Sequence, residues 1–450
     1  SDPVEPARFP ANTLRFRNQR AAETVGLANL TEDAFAAHFA RFEPLPDNQK
    51  RPLAMRYHGH QFRSYNPDLG DGRGFLFAQL RDDQDRLLDF GTKGSGQTPY
   101  SRTADGRLTL KGGVREVLAA EMLQALGVPT SRAFALFETG EALIRGDEPS
   151  PTRSSVLTRL SYSHIRFGTF QRLAYLNRPD LIEELLLHIV NNYYPLLWAE
   201  PPADQARLVL DTVVVRAARL TAAWMAAGFV HGVLNTDNMN ITGESFDYGP
   251  WRFLPRNDPN FVAAYFDQSG LYSFGRQPEA TFWNLQQLAA SFTLVCDTDP
   301  LIEALNGFEK AYGQALVGAM LRRLGLTSRG WDADVALVNA AFRALASGGE
   351  ALRWEPFFFD WFCGSEDRAM TGVRAGLYDA EAFKVFRGLL KDHDPERPQR
   401  LTDPCFARPE PEEMLIDEVE AIWAAIDSRN DWGPFEAKIA AVRLAGAAYA

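Results

Sequence analysis

Hydrophobic residues follow a strand-like pattern in the first 160 residues and a helical pattern afterwards. The runs LLDFGTK, SRAFALFE and SSVLTRL are short, apolar and bounded by Gly, Ser or Pro, which predicts strands. Among them, GGVREVLAAEMLQAL has apolar residues at helical spacing and stops at Gly127 with Pro129 just after, which predicts a helix. Two long amphipathic stretches, 178–198 and 206–228, predict helices in the second part. The pattern therefore predicts an α+β protein with a sheet in its N-terminal part and a helical remainder.

A glycine-rich segment, LGDGRG, precedes the strands and is followed by a lysine and a glutamate in a recognisable order. Glycines let a backbone approach a phosphate closely and Arg73 adds positive charge, although a hairpin turn is the commoner meaning of such a segment. The strand LLDFGTK ends in Lys93, and Glu116 lies near the start of the predicted helix. Protein kinases have this order in their N-lobe, where the Glu holds a Lys that reaches nucleotide phosphates. Taken alone, a Lys and a Glu so far apart in sequence are usually surface residues.

The polar segment HGVLNTDNMNITGESFDYG, residues 231–249, follows the second long helix and carries the candidate chemistry. In protein kinases, an H-R-D-L-x-x-x-N loop supplies a base and a metal-binding Asn, and a later D-F-G supplies a second metal ligand. Aligned on His231 and Asn238, this segment has Val233 at the position of the base, and valine cannot accept a proton. The segment is therefore either inactive or uses Asp237 as the base. Asp247, in Asp-Tyr-Gly, stands where the second metal ligand is expected.

Composition narrows the classes of protein that need to be considered. The chain has 450 residues, 46% of them hydrophobic, which is enough for a large core divided between two or three lobes. Its net charge of -11 argues against nucleic acid or an anionic membrane as the main partner. The 3 cysteines are too few and too scattered for a disulfide framework or a zinc site. Because no apolar run reaches the roughly 18 residues of a membrane span and no signal-peptide features open the chain, we expect a soluble cytoplasmic enzyme.

Several motifs together resemble one known family. YHGHQF, LGDGRG, KGSGQTPYSR, SHIRFG, HGVLNTDNM, FDYGP and WNLQQLA occur in that order over residues 55–290 and are similar to those of the selenoprotein O (YdiU) family of protein adenylyltransferases. The resemblance implies a kinase-like, two-lobed fold of the pseudokinase type, with a mixed N-lobe and a helical C-lobe. It also implies an enzyme that moves AMP from ATP to Ser, Thr or Tyr hydroxyls of proteins, including its own, and releases pyrophosphate.

The resemblance further implies roles for individual residues. Asp237 would be the catalytic base, Asn238 and Asp247 would bind Mg²⁺ or Mn²⁺, and Glu116 would pair with Lys93. The residues that would hold the nucleotide are Gly70, Gly72, Arg73, Lys93, Asp105, Gly106, Arg159, Arg166 and Asp247. The lobes would divide into residues 1–160 with the nucleotide-binding N-lobe, 161–300 with the catalytic loop and metal site, and 301–450 as the helical end of the C-lobe.

Two arginines bear on the direction of group transfer. Arg159 and Arg166 flank the region that meets adenine in ordinary kinases, yet guanidinium groups match phosphate oxygens better. We therefore expect the β and γ phosphates at that basic end, which leaves the α phosphate beside Asp237, Asn238 and Asp247. Two alternatives remain: a kinase-like phosphotransferase, and a pseudokinase that binds nucleotide without catalysis.

Overall fold

A computed structural model describes residues 1–146, 148–197 and 201–450, and in it a twisted antiparallel sheet organises the N-terminal part. The strands are β1 (Asp2–Pro3), β2 (Thr13–Arg17), β3 (Leu53–Ala54), β4 (Gly59–Gln61), β5 (Ser64–Asn66), β6 (Leu76–Arg81), β7 (Leu87–Lys93), β8 (Leu108–Thr109), β9 (Arg132–Leu143), β10 (Thr152–Ser161), β11 (Phe229–Val230) and β12 (Arg252–Phe253). The strand order in the sheet is β1-β3-β6-β7-β10-β9-β2, with β8 pairing to β10, and two further two-stranded pairs, seen in the described residues, lie outside this sheet.

Fifteen α-helices are seen in the described residues, and most of them follow the sheet in sequence. They are α1 (Gln19–Thr24), α2 (Glu32–Phe39), α3 (Leu110–Ala125), α4 (Phe167–Tyr175), α5 (Pro179–Tyr193), α6 (Pro202–Ala226), α7 (Gln277–Phe292), α8 (Thr298–Asn306), α9 (Phe308–Leu324), α10 (Trp331–Ser347), α11 (Trp354–Asp360), α12 (Glu366–Thr371), α13 (Glu381–Leu390), α14 (Ile416–Arg429) and α15 (Gly433–Tyr449). The predicted α+β class is confirmed.

The strand β7 and the helix α3 bring Lys93 and Glu116 to one face of the sheet. β7 lies between β6 and β10, and Lys93 is opposite Leu157 of β10. The helix begins after Thr109, whose side chain accepts a hydrogen bond from Gly112 N, and it ends before Gly127, which has a φ of 77°. The predicted strand and helix are therefore confirmed, although the helix begins a few residues earlier than its apolar pattern indicated.

The helix α6 delivers the chain to the polar segment that follows it. Most of α6 is buried, because its apolar residues face the core on nearly all sides in its second half. The short strand β11 comes next and pairs with β12, so the ends of residues 231–249 are fixed by a two-stranded ladder. The sequence pattern over 178–198 and 206–228 predicted both helices, although α5 ends at Tyr193, before a 3-10 turn at Pro195–Leu197, and α6 begins at Pro202. The end of the first stretch, from residue 198, lies outside the described residues.

The last two helices return to the sheet side of the molecule and pack against α3. Lys111 Nζ donates to Glu420 Oε2 at 2.7 Å, and Arg443 Nε donates to Glu121 Oε2 at 2.7 Å. The approach is close, since a Cβ on Gly446 would lie 2.9 Å from Ala125 Cβ. Residues of the range 301–450, assigned from sequence to the helical half, thus brace the helix that carries Glu116. Within the described residues, no helix has the length and apolar character needed to cross a bilayer.

Candidate active site

A cavity of about 430 Å³ lies between the sheet and the polar segment 231–249. It gathers backbone and side chains from the glycine-rich segment, from β7 and β10, from the start of α4 and from both ends of the polar segment. Among the residues singled out from sequence, those that line it are Gly70, Gly72, Arg73, Lys93, Arg159, Arg166, Asn238 and Asp247. These residues are distant in sequence and meet only through the fold.

Three cations converge on the carboxylate of Asp247. Lys93 Nζ lies 2.9 Å and Arg159 Nη1 lies 3.0 Å from Asp247 Oδ1, and Arg166 Nη1 lies 3.0 Å from Asp247 Oδ2. Lys93 also donates to Glu116 Oε1, so the lysine is held from two sides. Burial alone would raise the pKa of Asp247, but the three cations outweigh it and hold that pKa well below its usual range. We call these five side chains the charge cluster.

The charge cluster differs from the arrangement expected from sequence. From the sequence we expected a basic end, with Arg159 and Arg166, separate from a catalytic end with Asp247. In the structure both guanidinium groups contact Asp247 directly, and both arginines are almost fully buried, at 5% and 4% exposure. The positive charge therefore lies at the inner end of the cavity and adjoins the candidate metal ligand.

Asp237 lies beside the cavity, behind the short hairpin formed by β4 and β5. Its side chain is 8% exposed, and its Oδ1 is buried without a hydrogen-bond partner among the described residues. A Cβ on Gly59 of β4 would lie 3.0 Å from that oxygen, so any larger residue there would crowd the Asp237 carboxylate. Burial raises the pKa of Asp237 to about 6, against the opposing effect of Arg166. A buried polar oxygen with no partner is costly and is typical of a group that acts on a ligand.

The hairpin is fastened directly to the segment that carries Asp237. His60 N donates to Thr236 Oγ1 at 2.7 Å, and Phe62 N donates to Asn235 Oδ1 at 3.1 Å. Residues Thr236–Asn238 form a short 3-10 helix, in which Asn238 N donates to Asn235 O at 3.0 Å. The position of Asp237 is therefore set in part by the bonds that the hairpin makes to its neighbours Asn235 and Thr236.

Sequence reasoning missed the residues that hold Arg166. Its guanidinium lies 4.6 Å from the ring centroid of Tyr57 and 4.8 Å from that of Phe246, within range for cation–π attraction. Arg166 Nη2 is 3.6 Å from Asp71 Oδ1, and Arg166 Nη1 donates to Asp237 O at 2.7 Å. Tyr57 and Asp71 occur inside the motifs YHGHQF and LGDGRG, but nothing local in those motifs indicates a contact with Arg166.

Comparison with known proteins identifies the family. A family model described as "Protein adenylyltransferase SelO" matches residues 1–443. The chain belongs to this family. It is 45% identical to a "Protein nucleotidyltransferase YdiU" of Synechocystis sp., over 96% of this chain and 93% of that protein. Proteins of the same name from Synechococcus elongatus and Trichodesmium erythraeum are each 46% identical, over 97% and 96% of this chain and 91% and 94% of their own lengths. The family resemblance seen in the motifs is confirmed, and with it the enzyme class, a protein adenylyltransferase.

Two residues that the family resemblance assigned to the nucleotide lie outside the cavity. Asp105 forms an ion pair with Arg145, at 2.8 Å between Oδ2 and Nη1, and its Oδ1 accepts a hydrogen bond from Arg107 N. Gly106 has a φ of 71° and accepts a hydrogen bond from Gly96 N through its carbonyl oxygen. Neither lines the cavity, so their roles toward ATP remain predictions.

Asn238 and Asp247 would supply oxygen ligands of the kind that a hard divalent cation prefers. Asn238 Nδ2 donates to Val233 O at 2.9 Å, which leaves its carbonyl oxygen free to face the cavity. No cluster of three or more His, Cys, Asp or Glu side chains suited to a metal occurs in the described parts of the chain. A pair of oxygen ligands matches the usual Mg²⁺ site, in which one or two protein ligands share the ion with substrate phosphates and water.

Proposed function

We propose that this chain binds ATP in the cavity and transfers AMP to Ser, Thr or Tyr hydroxyls of proteins, with pyrophosphate as the leaving group. The observation that carries the proposal is the position of the positive charge, since Lys93, Arg159 and Arg166 are buried at the inner end of the cavity. A buried guanidinium pair would gain little from an adenine ring and much from phosphate oxygens. The triphosphate of ATP therefore lies at the inner end of the cavity.

The mouth of the cavity suits the opposite end of the nucleotide. Tyr100 lines it at intermediate exposure, and Arg73 and Arg102 are exposed there. The ring of Tyr100 packs on Gly70, where a Cβ would lie 2.3 Å from the ring. An aromatic side chain at the rim can stack on a base, while the exposed arginines remain hydrated. This orientation of ATP is the reverse of that in ordinary kinases. A kinase-like fold of the pseudokinase type is part of the same proposal.

The chemistry then needs a base and a means of holding negative charge. The oxygen of the acceptor hydroxyl attacks the α phosphorus while Asp237 accepts the proton of that hydroxyl. The bond from the α phosphorus to the α–β bridging oxygen breaks. Lys93, Arg159 and Arg166 hold the charge that develops on pyrophosphate, and Glu116 keeps Lys93 in place. Mg²⁺ or Mn²⁺, held by Asn238 and Asp247 together with phosphate oxygens, would add further charge stabilisation.

The proposed kinase-like fold divides the chain into lobes. Residues 1–160 form the nucleotide-binding lobe, 161–300 contain the catalytic loop and metal ligands, and 301–450 complete the helical lobe. Nucleotide and base then lie at the boundary between the first two parts, where lobes of a kinase-like fold enclose their substrates.

The decisive experiment asks which phosphate of ATP becomes attached to the protein. The protein is incubated with Mg²⁺ or Mn²⁺ and ATP labelled on either the α or the γ phosphate, and its own hydroxyl groups serve as acceptors. We expect the α label to become covalently attached, with a mass gain equal to AMP and release of pyrophosphate. Arg159→Ala and Arg166→Ala should lose most of this activity because the triphosphate is no longer positioned. Attachment of the γ label would favour the phosphotransferase, and nucleotide binding without any attachment would favour the non-catalytic pseudokinase.

A further inference from the structure

Residues 254–275, which follow the polar segment, form a series of tightly bonded turns. The buried carboxylate of Asp267 accepts hydrogen bonds from Leu271 N at 2.9 Å and from Tyr272 N at 2.8 Å. Backbone hydrogen bonds from Phe274 N to Phe261 O, at 2.9 Å, and from Gly275 N to Pro259 O, at 2.8 Å, close the base of the series. The backbone of these turns is therefore held in place.

Two adjacent aromatic side chains project from these turns into solvent. Tyr265 is 85% exposed and Phe266 is 46% exposed, and their ring centroids are 5.1 Å apart. Exposed aromatic residues that sit on a rigid backbone lose little entropy when they bind a partner, and such residues are enriched among the energetically important positions of protein interfaces. Tyr265 and Phe266 therefore form a surface suited to binding a partner.

The aromatic side chains continue from this exposed pair to the catalytic segment. Phe266 is 5.9 Å from Phe62, at the tip of the β4–β5 hairpin, and Phe62 is 5.0 Å from Tyr272, measured between ring centroids. Phe62 N and Tyr272 Oη both donate to Asn235 Oδ1, at 3.1 and 2.8 Å. We call Tyr265, Phe266, Phe62 and Tyr272 the aromatic row. Its inner end is bonded to Asn235, two residues before Asp237.

We propose that the aromatic row docks the protein substrate through an apolar or aromatic side chain near the acceptor hydroxyl. The inference rests on the proposed function, because a protein acceptor must bring its hydroxyl to Asp237 while ATP fills the cavity. Tyr265 and Phe266 are exposed, whereas Tyr272 is buried and bonded to the catalytic segment, so a substrate docked on the exposed pair lies at a fixed distance from Asp237. Since an extended strand advances about 3.3 Å per residue, the docked side chain would lie roughly three to six residues from the acceptor.

The charges beside the row point to an apolar contact. Arg63 Nη2 lies 2.8 Å from Glu279 Oε1, and Arg276 Nε lies 3.2 Å from Glu279 Oε2. Both arginines are thus partly neutralised by one carboxylate, and Arg63 also lies over the Trp283 ring, 5.5 Å from its centroid. The preference for an apolar side chain should therefore survive 0.5 M salt, which screens exposed charges.

The test uses two series of synthetic peptides with one acceptor Ser, Thr or Tyr each. One series carries Leu or Phe three to six residues from the acceptor on either side, and the matched series carries Gln at the same positions. Binding of fluorescently labelled peptides to the full chain is followed by anisotropy, and transfer is followed with ATP labelled on the α phosphate. Wild type should bind the apolar series and modify it about fivefold or more better than the Gln series. Tyr265→Ser with Phe266→Ser should reduce that preference to less than about twofold.

Controls separate this inference from the proposed function. Trp331→Ser removes another exposed aromatic side chain, 53% exposed at the start of α10, and should keep the full preference. ATP affinity should be unchanged in the double variant. Equal binding of the two peptide series by wild type, or an unchanged preference in the double variant, would overturn the docking surface. A retained binding preference without transfer of the α label would instead overturn the proposed function and leave the docking surface standing.

Discussion

Replacing Asp247 by asparagine tests whether its carboxylate both binds the metal and opposes metal-free binding of ATP. In wild type the carboxylate is 2.9 to 3.0 Å from three cationic nitrogens that would otherwise bind phosphates. A phosphate oxygen that accepts from one of these nitrogens would lie about 5 Å from the carboxylate, where two like charges repel by roughly 3 kcal/mol at an effective dielectric constant of about 20. Asparagine keeps the shape and one acceptor oxygen but removes that repulsion.

We therefore expect opposite effects on binding and turnover. Titration calorimetry in EDTA should show ATP binding about 10- to 100-fold more tightly to Asp247→Asn than to wild type, since partial screening leaves about half of the repulsion or more. AMP transfer with Mg²⁺ or Mn²⁺ should fall by about 10² or more, because a metal ligand is lost.

A matched control removes a carboxylate that pairs with an arginine elsewhere. Asp211 forms a half-buried pair with Arg207 on α6, away from the cavity, and Asp211→Asn should change neither quantity by more than about twofold. Weaker metal-free binding of ATP by Asp247→Asn would refute the electrostatic reasoning, and full transfer activity would remove Asp247 from the metal site.

Three further predictions concern the proposed base Asp237, Gly59 that packs against it, and the buried carboxyl group of Glu244. Asp237→Asn should lower the rate of AMP transfer by about 10² to 10⁴ and leave ATP affinity intact; a rate within twofold of wild type would exclude the base. Gly59→Ala should lower transfer about tenfold or more at unchanged ATP affinity, because its Cβ would lie 3.0 Å from Asp237 Oδ1, whereas Gly318→Ala, which meets open space, should have no effect. Burial raises the pKa of Glu244 from 4.5 to about 7, so the folded state binds this proton more tightly than the unfolded chain and stability falls as pH rises between those values. In Glu244→Gln the free energy of unfolding, measured with urea, should fall by roughly 2 to 4 kcal/mol less between pH 5 and pH 8 than it does in wild type. An equal fall in the two proteins would contradict this role of Glu244.

Local patterns predicted the elements that carry the site. The strand LLDFGTK was recognisable because its apolar run ends at a polar residue, and α3 because its apolar residues repeat at helical spacing and a glycine follows. The kinase-like order of loop, strand and helix then suggested that Lys93 and Glu116 meet, as they do in the structure. These features depend on short stretches of chain, which is why one sequence sufficed for them.

Contacts between distant segments could not be predicted in this way. Nothing near Arg159 in the sequence indicates that its guanidinium contacts Asp247, 88 residues away, and the sequence argument therefore placed these two residues at different ends of the site. The same holds for Tyr57 and Phe246, whose rings enclose Arg166 only because the β10–α4 connection passes between them. Asp105 was assigned through family resemblance, and its pairing with Arg145 depends on the turn between β9 and β10.

The packing of α14 and α15 against α3 has a consequence for the order in which the molecule can be made. The helix α3 leaves the ribosome early, whereas its partners Glu420 and Arg443 lie more than 300 residues later in the chain. At about 5 to 20 residues per second, α3 waits roughly 15 to 60 s for the surface that braces it. Until then its outer face is uncovered and Glu116 is held only from the sheet side, so we expect the nascent chain to need protection from aggregation.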